Sequence, residues 1–121
     1  MFSQFCRRMV VILCLAAWST GTASAQKLYW TIGYYGITGA EVLVQRANLD
    51  GSDVETLIPG TALPAGRYEG IALDPSAGKM YFTRASGGLT GGEIYRADLD
   101  GSNIEVILSK GLLAPHGIAV D

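Results

Sequence analysis

The sequence has few residues able to form a disulfide bond or ligate a transition metal. Among its 121 residues are one histidine, His116, and two cysteines, Cys6 and Cys14. Both cysteines lie in an amino-terminal segment that has the features of a secretory signal, so we predict a mature chain without thiols or disulfides. With a single imidazole, one chain cannot build a zinc site from several histidines.

No apolar run is long enough to span a bilayer. Residues 9–18 form an apolar stretch about half as long as the roughly 20 residues that a spanning helix needs. The stretch follows two arginines and precedes an Ala-Ser-Ala sequence at 23–25, which is the order found in a cleaved export signal. We therefore predict that residues 1–25 are a signal peptide removed before Gln26. The mature chain, residues 26–121, is then secreted or faces the cell envelope and has no membrane span.

The mature chain also has little positive charge. The full sequence has 9 basic and 11 acidic residues, and removing Arg7 and Arg8 leaves seven against eleven, a net charge of −4. No basic stripe remains, so nucleic acid and anionic membranes are not expected partners. Phosphate-loop, serine-elbow and N-glycosylation motifs are missing as well. We assign no catalytic residue and expect no cofactor.

An internal repeat accounts for most of the remaining sequence. The matching blocks are 27–31 with 79–83 and 37–41 with 89–93, both at an offset of 52, then 46–52 with 96–102 at 50, and 70–74 with 117–121 at 47. Because insertions concentrate in loops, the drifting offset places loops between the matching blocks. The mature chain therefore contains two tandem repeats, 27–74 and 79–121.

Each repeat predicts four short antiparallel strands. Residues 70–74 form a compact apolar strand, predicted to be buried on both faces, and 79–83 form a strand rich in aromatic and β-branched residues. Third strands are predicted at 41–49 and 93–99. In the fourth strands, side chains alternate between the two faces. Val54, Thr56 and Ile58 are predicted to share one face, and so are Ile104, Val106 and Leu108 in the next repeat. Four strands in about 50 residues are typical of a propeller blade, so the predicted fold is all-β, with about two β-propeller blades.

Two Asp-Gly pairs mark the hairpins that join the third and fourth strands. At Asp50-Gly51 and Asp100-Gly101 we predict type I′ turns, in which both central residues take positive φ. The acidic residues around Asp98 and Asp100 superficially resemble a calcium loop, but the glycine and glutamate do not have the required spacing. We therefore interpret the block as a hairpin turn.

The combination of blocks resembles the YWTD repeats, or class B repeats, of the low-density-lipoprotein receptor family. The matching segments are Tyr29-Trp30-Thr31, Tyr81-Phe82-Thr83, the two Arg-Ala-x-Leu-Asp-Gly-Ser blocks and the two Gly-Ile-Ala-x-Asp blocks. The resemblance covers nearly all of 27–121. It implies six-bladed propellers that bind protein ligands or hold neighbouring modules. At the fourth position of the motif, Ile32 and Arg84 replace the family's Asp.

The order of the strands leaves the arrangement of blades open. The mature chain starts with a second strand, 27–31, and ends with a first strand, 117–121. One interpretation, which we favour, is a fragment of a longer propeller. The other is head-to-tail assembly, in which 117–121 of one copy completes the blade begun by the next, and three copies give six blades. For the function, a nonfunctional truncated product is a third alternative beside the two given at the end of this section.

Two corresponding positions precede the first strands, where a propeller has its channel mouth. Glu69 precedes Gly70, and His116 precedes Gly117, so both are predicted to face the same ring. A carboxylate and an imidazole could together ligate a divalent metal. We favour a local hydrogen bond for Glu69 and an ordinary loop position for His116, and we assign no metal ligand.

The candidate ligand-binding residues are those that differ between the repeats and are predicted to lie in loops, together with the pair at the channel mouth. They are Tyr34, Tyr35, Arg67, Tyr68, Glu69 and His116. Tyr and Arg are the residue types that contribute most binding energy at interfaces. In contrast, we expect Arg46 with Glu55, and Arg96 with Glu105, to form structural pairs.

Together these features favour a secreted, non-enzymatic binding or scaffold module over an enzyme. Its expected partners are protein or saccharide ligands. Two further copies of the same chain, in a homotrimer, are also considered as partners. The alternative is an incomplete part of a six-bladed hydrolase or lactonase that depends on a channel metal.

Overall fold

The computed structural model describes residues 25–33, 42–86 and 91–121. Residues 1–24 of the predicted signal peptide and two candidate ligand contacts, Tyr34 and Tyr35, lie outside the described residues. Within the described ranges, no helix is both long and apolar enough to cross a membrane.

Seven short strands and one turn of 3-10 helix make up the described chain. The strands are β1 Lys27–Thr31, β2 Val42–Asn48, β3 Glu55–Pro59, β4 Arg67–Asp74, β5 Lys79–Ala85, β6 Gly92–Asp98 and β7 Glu105–Leu108, with the 3-10 turn at Gly60–Ala62. The third strands of the two repeats, β2 and β6, lie within one residue of their predicted bounds. The prediction of a chain built from strands is therefore confirmed for the residues that the structure describes.

The strands form two antiparallel sheets. Sheet 1 has the order β1-β2-β3, and sheet 2 has the order β4-β5-β6-β7. Strand β4, which belongs to the first sequence repeat, pairs with β5 of the second, so the first repeat supplies strands to both sheets, whereas the strands of the second all lie in sheet 2. Residues 117–121, predicted to be a first strand without a second strand after it, are not part of a sheet in the described chain.

The hairpins between third and fourth strands differ from the predicted type I′ turn. Gly51 and Gly101 have φ of 83° and 88°, whereas Asp50 and Asp100 are not among the residues with positive φ. The Gly51 N–H donates to the Asn48 carbonyl, and the Asn48 N–H donates to the Ser52 carbonyl. This is a three-residue loop closed by a left-handed glycine. The prediction of positive φ at both central residues is wrong, because the longer loop requires it only at its last position.

Hydrogen bonds within the two hairpins show how one turn is built from two different pairs of residues. In sheet 1 the Asn48 amide donates to the Asp53 carboxylate at 2.7 Å. In sheet 2 the roles are exchanged, and the Asn103 amide donates to the Asp98 carboxylate at 2.6 Å. Each hairpin keeps one amide and one carboxylate, so the interaction survives the exchange. These contacts confirm that the acidic block around Asp98 is a hairpin turn.

One hydrophobic cluster contains buried side chains from both sheets. Its centre is a stack of two aromatic rings of sheet 2, Phe82 and Tyr95, with centroids 5.3 Å apart and an angle of 4° between the ring planes. Sheet 1 contributes Val44 and Ile58, which are fully buried. Burying side chains of this size stabilises the fold by roughly 1.5–3 kcal/mol each, so packing between the sheets is the main source of stability.

Burial in the outer and inner strands departs from the predicted pattern. In β3, Ile58 is buried whereas Thr56 is exposed, because an irregularity in the β2–β3 register changes the direction of successive side chains. Val54, which precedes β3, is exposed as well. Residues 70–74 are only half-buried. The prediction that both faces of this strand are covered is therefore wrong for the described chain.

The predicted structural ion pairs are confirmed. Arg46 contacts Glu55 across β2 and β3, and the Arg96 guanidinium lies 2.5 Å from Glu105 across β6 and β7. Arg46 also donates to the carbonyl of Leu99, in the turn that follows β6 of sheet 2, at 3.2 Å. The first pair therefore joins neighbouring strands and helps to hold the two sheets together.

Replacing Phe82 with alanine should remove the centre of the shared cluster. We expect Phe82→Ala to lower the free energy of unfolding by about 3–5 kcal/mol, because the cavity cannot close between two sheets. Val54→Ala, at an exposed position, is the matched control and should change it by less than about 0.5 kcal/mol. Urea unfolding measures both. Equal losses for the two variants would contradict the packing described here.

Candidate binding site at the rim of the sheets

Glu69 lies at an irregular point of β4. The register between β4 and β5 shifts between Tyr68 and Ile71, so Glu69 and Gly70 form a bulge. A bulge turns side chains away from their regular direction and leaves backbone groups without ladder partners. Here the Gly70 N–H donates to the Thr83 hydroxyl at 3.0 Å. The bulge therefore directs the Glu69 side chain towards Arg67 and His116, while its backbone stays tied to β5. The surface formed by Arg67, Glu69 and His116 is called the rim below.

The Thr83 side chain connects this bulge to His116. Thr83 is fully buried, and its hydroxyl donates to the His116 carbonyl at 3.0 Å while it accepts from Gly70. A Cβ atom on Gly70 would overlap the same carbonyl oxygen, so glycine is required for this close approach. Thr31 makes the corresponding bond to the Glu69 carbonyl at 2.9 Å. Matching threonines thus position both rim residues.

Three predicted site residues meet at this rim. One carboxylate oxygen of Glu69 contacts Nδ1 of His116, and the other lies 2.5 Å from the Arg67 guanidinium. The Glu69 side chain is 20% exposed, whereas Arg67 and His116 are 45% and 63% exposed. Glu69 therefore forms the base of the cluster, and the two nitrogen-bearing side chains form its surface.

Tyr68 does not belong to this surface. It was predicted to lie in a loop with Arg67, but both residues are in β4, so the loop assignment is wrong for both. The Tyr68 ring is 1% exposed, and its hydroxyl donates to the Pro64 carbonyl at 2.7 Å. Burial raises the pKa of Tyr68 well above its ordinary value. An aromatic residue near a strand end is here a core residue, because its ring packs against Phe82 and Tyr95 in the hydrophobic cluster.

A metal is disfavoured at the rim by the charge that surrounds Glu69. A divalent ion would have to compete with the guanidinium of Arg67 for the same carboxylate. Among the described residues, no group of three or more His, Cys, Asp or Glu side chains is arranged to hold a metal. The cluster is instead suited to present N–H donors to a ligand that carries oxygen acceptors.

Arg84, which replaces the acidic residue of the YWTD motif, forms a second polar cluster that the sequence did not predict. Its guanidinium lies 2.6 Å from the Glu93 carboxylate and donates to the Ala65 carbonyl. Burial and the Glu93 carboxylate raise the pKa of Tyr95 to about 12. Partial burial alone would raise the pKa of Glu93, but hydrogen bonds from Arg84 and Tyr95 lower it overall. The arginine thus holds the segment before β4 against sheet 2.

A groove between the two sheets was also not predicted. It has a volume of about 650 Å³. Its lining includes Leu49, Leu73, Leu99 and the polar side chains of Lys27 and Arg46. Both polar groups already bond to protein atoms, Lys27 to Asn48 and Arg46 to Glu55. The groove therefore offers mainly apolar contact, and the rim remains the better candidate for polar recognition.

Comparison with solved structures identifies the architecture. The chain matches a chain in a crystal structure of a nidogen/laminin complex with a TM-score of 0.62 and 22% sequence identity, covering 78% of this chain and 32% of that one. The fold is that of β-propeller blades. Sheet 2 is a blade of four strands, and sheet 1 contributes three strands of another. The predicted fold class is confirmed.

Sequence comparison finds similar segments in larger proteins. Protein cueball of Drosophila yakuba is 35% identical over 75 residues, which is 62% of this chain and 11% of that protein. The low-density lipoprotein receptor-related protein 1 of Pyricularia oryzae is 32% identical over 84 residues, 69% of this chain and 26% of that protein. The chain thus spans between a tenth and about a quarter of these relatives. No protein-family model matches it.

Removing the Thr83 hydroxyl should loosen the rim without removing any rim side chain. We expect Thr83→Val to leave the Gly70 N–H and the His116 carbonyl without their partner, at a cost of about 1–3 kcal/mol. Amide hydrogen exchange at Gly70 should then speed up by about 10–100-fold. Thr56→Val, at an exposed position of β3, is the control and should leave that rate unchanged. Unaltered exchange in Thr83→Val would show that the hydroxyl does not hold the rim.

Proposed function

We propose that this chain is an exported propeller segment of the YWTD type that binds a protein ligand, with a saccharide as the alternative ligand, and that it is not an enzyme. The similarity to a low-density lipoprotein receptor-related protein, joined to the propeller fold, supports the family. The signal-like sequence at 1–25 supports export to the extracellular space or cell envelope.

The observation that carries the binding proposal is the cluster of Arg67, Glu69 and His116. Arg67 and His116 are exposed, and both contact the same less exposed carboxylate. This shared contact restricts their side chains before a ligand arrives, which lowers the entropic cost of binding. The N–H groups suit carboxylate, carbonyl or hydroxyl oxygens of a ligand. Tyr34 and Tyr35, which lie outside the described residues, remain predicted ligand contacts.

Binding can be tested with two defined probes, a random peptide phage library and a glycan array. We expect the purified chain to select peptides whose binding weakens at least about tenfold, or by about 1.4 kcal/mol, in both Arg67→Ala and His116→Ala. Lys110→Ala, an exposed cation outside the rim, should bind as the unaltered chain does. Selection of glycans instead, with the same sensitivity, would support the saccharide alternative. No selection by either probe, or selection insensitive to both rim variants, would contradict the proposed site.

The rival function, a hydrolase that depends on a channel metal, makes a separate prediction. Because Arg67 already pairs with Glu69, we expect elemental analysis of the dialysed chain to find far less than one calcium or zinc ion per molecule. A stoichiometric ion that is lost in Glu69→Ala but retained in Lys110→Ala would overturn this expectation and favour the hydrolase.

A second copy of the chain is a further candidate partner. It would use surfaces other than the side chains of the rim cluster.

A further inference from the structure

Strand β1 and residues 117–121 correspond in the repeat to β5 and residues 70–74, which pair with each other in sheet 2. In sheet 2, β4 pairs along β5, with Ile71 opposite Phe82 and Leu73 opposite Met80. In sheet 1, the corresponding edge of β1 has no strand beside it in the described ranges. Residues 117–121 repeat the sequence of 70–74 but likewise have no strand partner there. An unpaired edge and an unpaired copy of the strand that fits it occur together.

The hydrogen bonds of the two matching threonines show the same incompleteness. Thr83 accepts from the Gly70 N–H and donates to the His116 carbonyl, so both sides of its hydroxyl are used. Thr31 donates to the Glu69 carbonyl at 2.9 Å, and no bond from a described backbone N–H to its hydroxyl corresponds to that of Gly70. By the repeat, the donor that would complete Thr31 is the N–H of Gly117.

The surroundings of the two matching glycines point to the same contact. A Cβ on Gly70 would collide with the His116 carbonyl oxygen, so glycine is needed there. Around Gly117, no heavy atom of the described residues lies within 4 Å of the corresponding Cβ position, apart from its own chain neighbours. The repeat predicts that a Glu69 carbonyl would occupy that space, because Glu69 corresponds to His116.

The outer face of sheet 2 matches the face of sheet 1 that is already covered. Ile58 opposes Val44 in sheet 1, and Leu108 opposes Ile94 at the corresponding place in sheet 2. Ile58 is fully buried under sheet 2, whereas Leu108 is 43% exposed. Ile107 is 44% exposed, although its counterpart Leu57 packs against the core. Sheet 1 packs against sheet 2 through the face that contains Ile58. Sheet 2 has a similar face, which contains Leu108, but no sheet covers it in the described chain.

We propose that this chain docks head to tail onto a second copy of itself. Residues 117–121 of one copy pair antiparallel with β1 of the next and complete its blade. The β4–β5 register fixes the pairing: Ile118 lies opposite Trp30, Val120 opposite Leu28, and Asp121 opposite Lys27. The Gly117 N–H then donates to the Thr31 hydroxyl of the neighbouring copy.

Both contacts are made by the same pair of molecules. When 117–121 adds to β1 of the second copy, it completes the blade that contains sheet 1 of that copy. This blade then packs beside sheet 2 of the first copy, in the same way as sheets 1 and 2 pack beside each other within one chain. The exposed face that contains Ile107 and Leu108 then receives the face of the second copy that contains Leu28 and Trp30. Because each copy contributes two blades and propellers contain about four to eight, a closed ring holds two, three or four copies, and we take three, the middle of that range.

Disulfide cross-linking tests the pairing directly. In a chain with Cys6→Ser and Cys14→Ser, we expect Leu28→Cys with Val120→Cys to form intermolecular disulfides, because opposed residues of an antiparallel pair lie within disulfide reach. Leu28→Cys with Ala119→Cys is the matched control. It should not cross-link, because neighbouring residues of a strand point to opposite faces. Equal cross-linking of both pairs would overturn the register, and the lack of either cross-link would overturn the docking.

The mass of the purified chain, measured by light scattering over a wide range of concentrations, tests the assembly. We expect three chains per particle, and at least about tenfold weaker association, or a loss of about 1.4 kcal/mol, in Gly117→Ala. That variant should keep the unfolding profile of the isolated chain, because the space around Gly117 is open. A polydisperse larger mass with the Leu28–Val120 cross-link would keep the docking and overturn the closed ring.

A monomer would overturn the proposal, and hydrogen exchange would then identify what covers the edge. Protected amides in β1 of a monomer would mean that another segment of the same chain occupies it. Rapid exchange along β1 would mean that the edge is simply exposed. Association of Gly117→Ala at the affinity of the unaltered chain would also count against the contact, since its Cβ would enter the space assigned to the Glu69 carbonyl.

Discussion

Burial of the aromatic face of sheet 2 is the interaction on which the rest of the structure depends. Phe82 and Tyr95 stack at 5.3 Å, and Val44 and Ile58 of sheet 1 are buried in the same cluster. These side chains occupy positions on their strands that a solitary sheet would leave exposed to water, so neither sheet is stable without a neighbour. The same packing brings Arg46 to the Leu99 carbonyl and Thr31 to the Glu69 carbonyl. Polar contacts between the sheets therefore follow from the apolar ones.

The candidate site is held in place by the buried threonine rather than by the residues that form its surface. Thr83 ties the bulge at Gly70 to the backbone of His116, and the bulge in turn sets the direction of Glu69. A hydroxyl that is fully buried and satisfied on both sides has little freedom to move. The exposed side chains of Arg67 and His116 are thus mounted on a rigid base. This arrangement is typical of recognition surfaces built at the ends of strands, where a packed sheet positions a few polar groups.

The two repeats show that similar sequences can have different environments. Ile58 and Leu108 occupy corresponding places, yet only Ile58 is covered. Gly70 is indispensable for a close backbone contact that Gly117 lacks. These differences arise because a blade is buried by its neighbours and not by its own strands. The pattern of residues is consistent with a unit that is covered on both sides, while the described chain covers only one side of each sheet.

Local chemistry determined what the sequence could predict. Alternation of side chains and the recurrence of matching blocks gave strands, the all-β class and the cross-strand pairs Arg46–Glu55 and Arg96–Glu105, because all of these depend on residues close in the strand register. The repeat also placed Glu69 and His116 at matching positions, and the structure brings them into contact. The burial of Tyr68, the role of Arg84 and the loop type at Gly51 depended on the tertiary structure. Each is decided by groups distant in sequence or by backbone geometry: the rings of Phe82 and Tyr95 beside Tyr68, the Ala65 carbonyl beside Arg84, and the Ser52 carbonyl that closes the loop. Residue type alone does not specify which of these groups will be near.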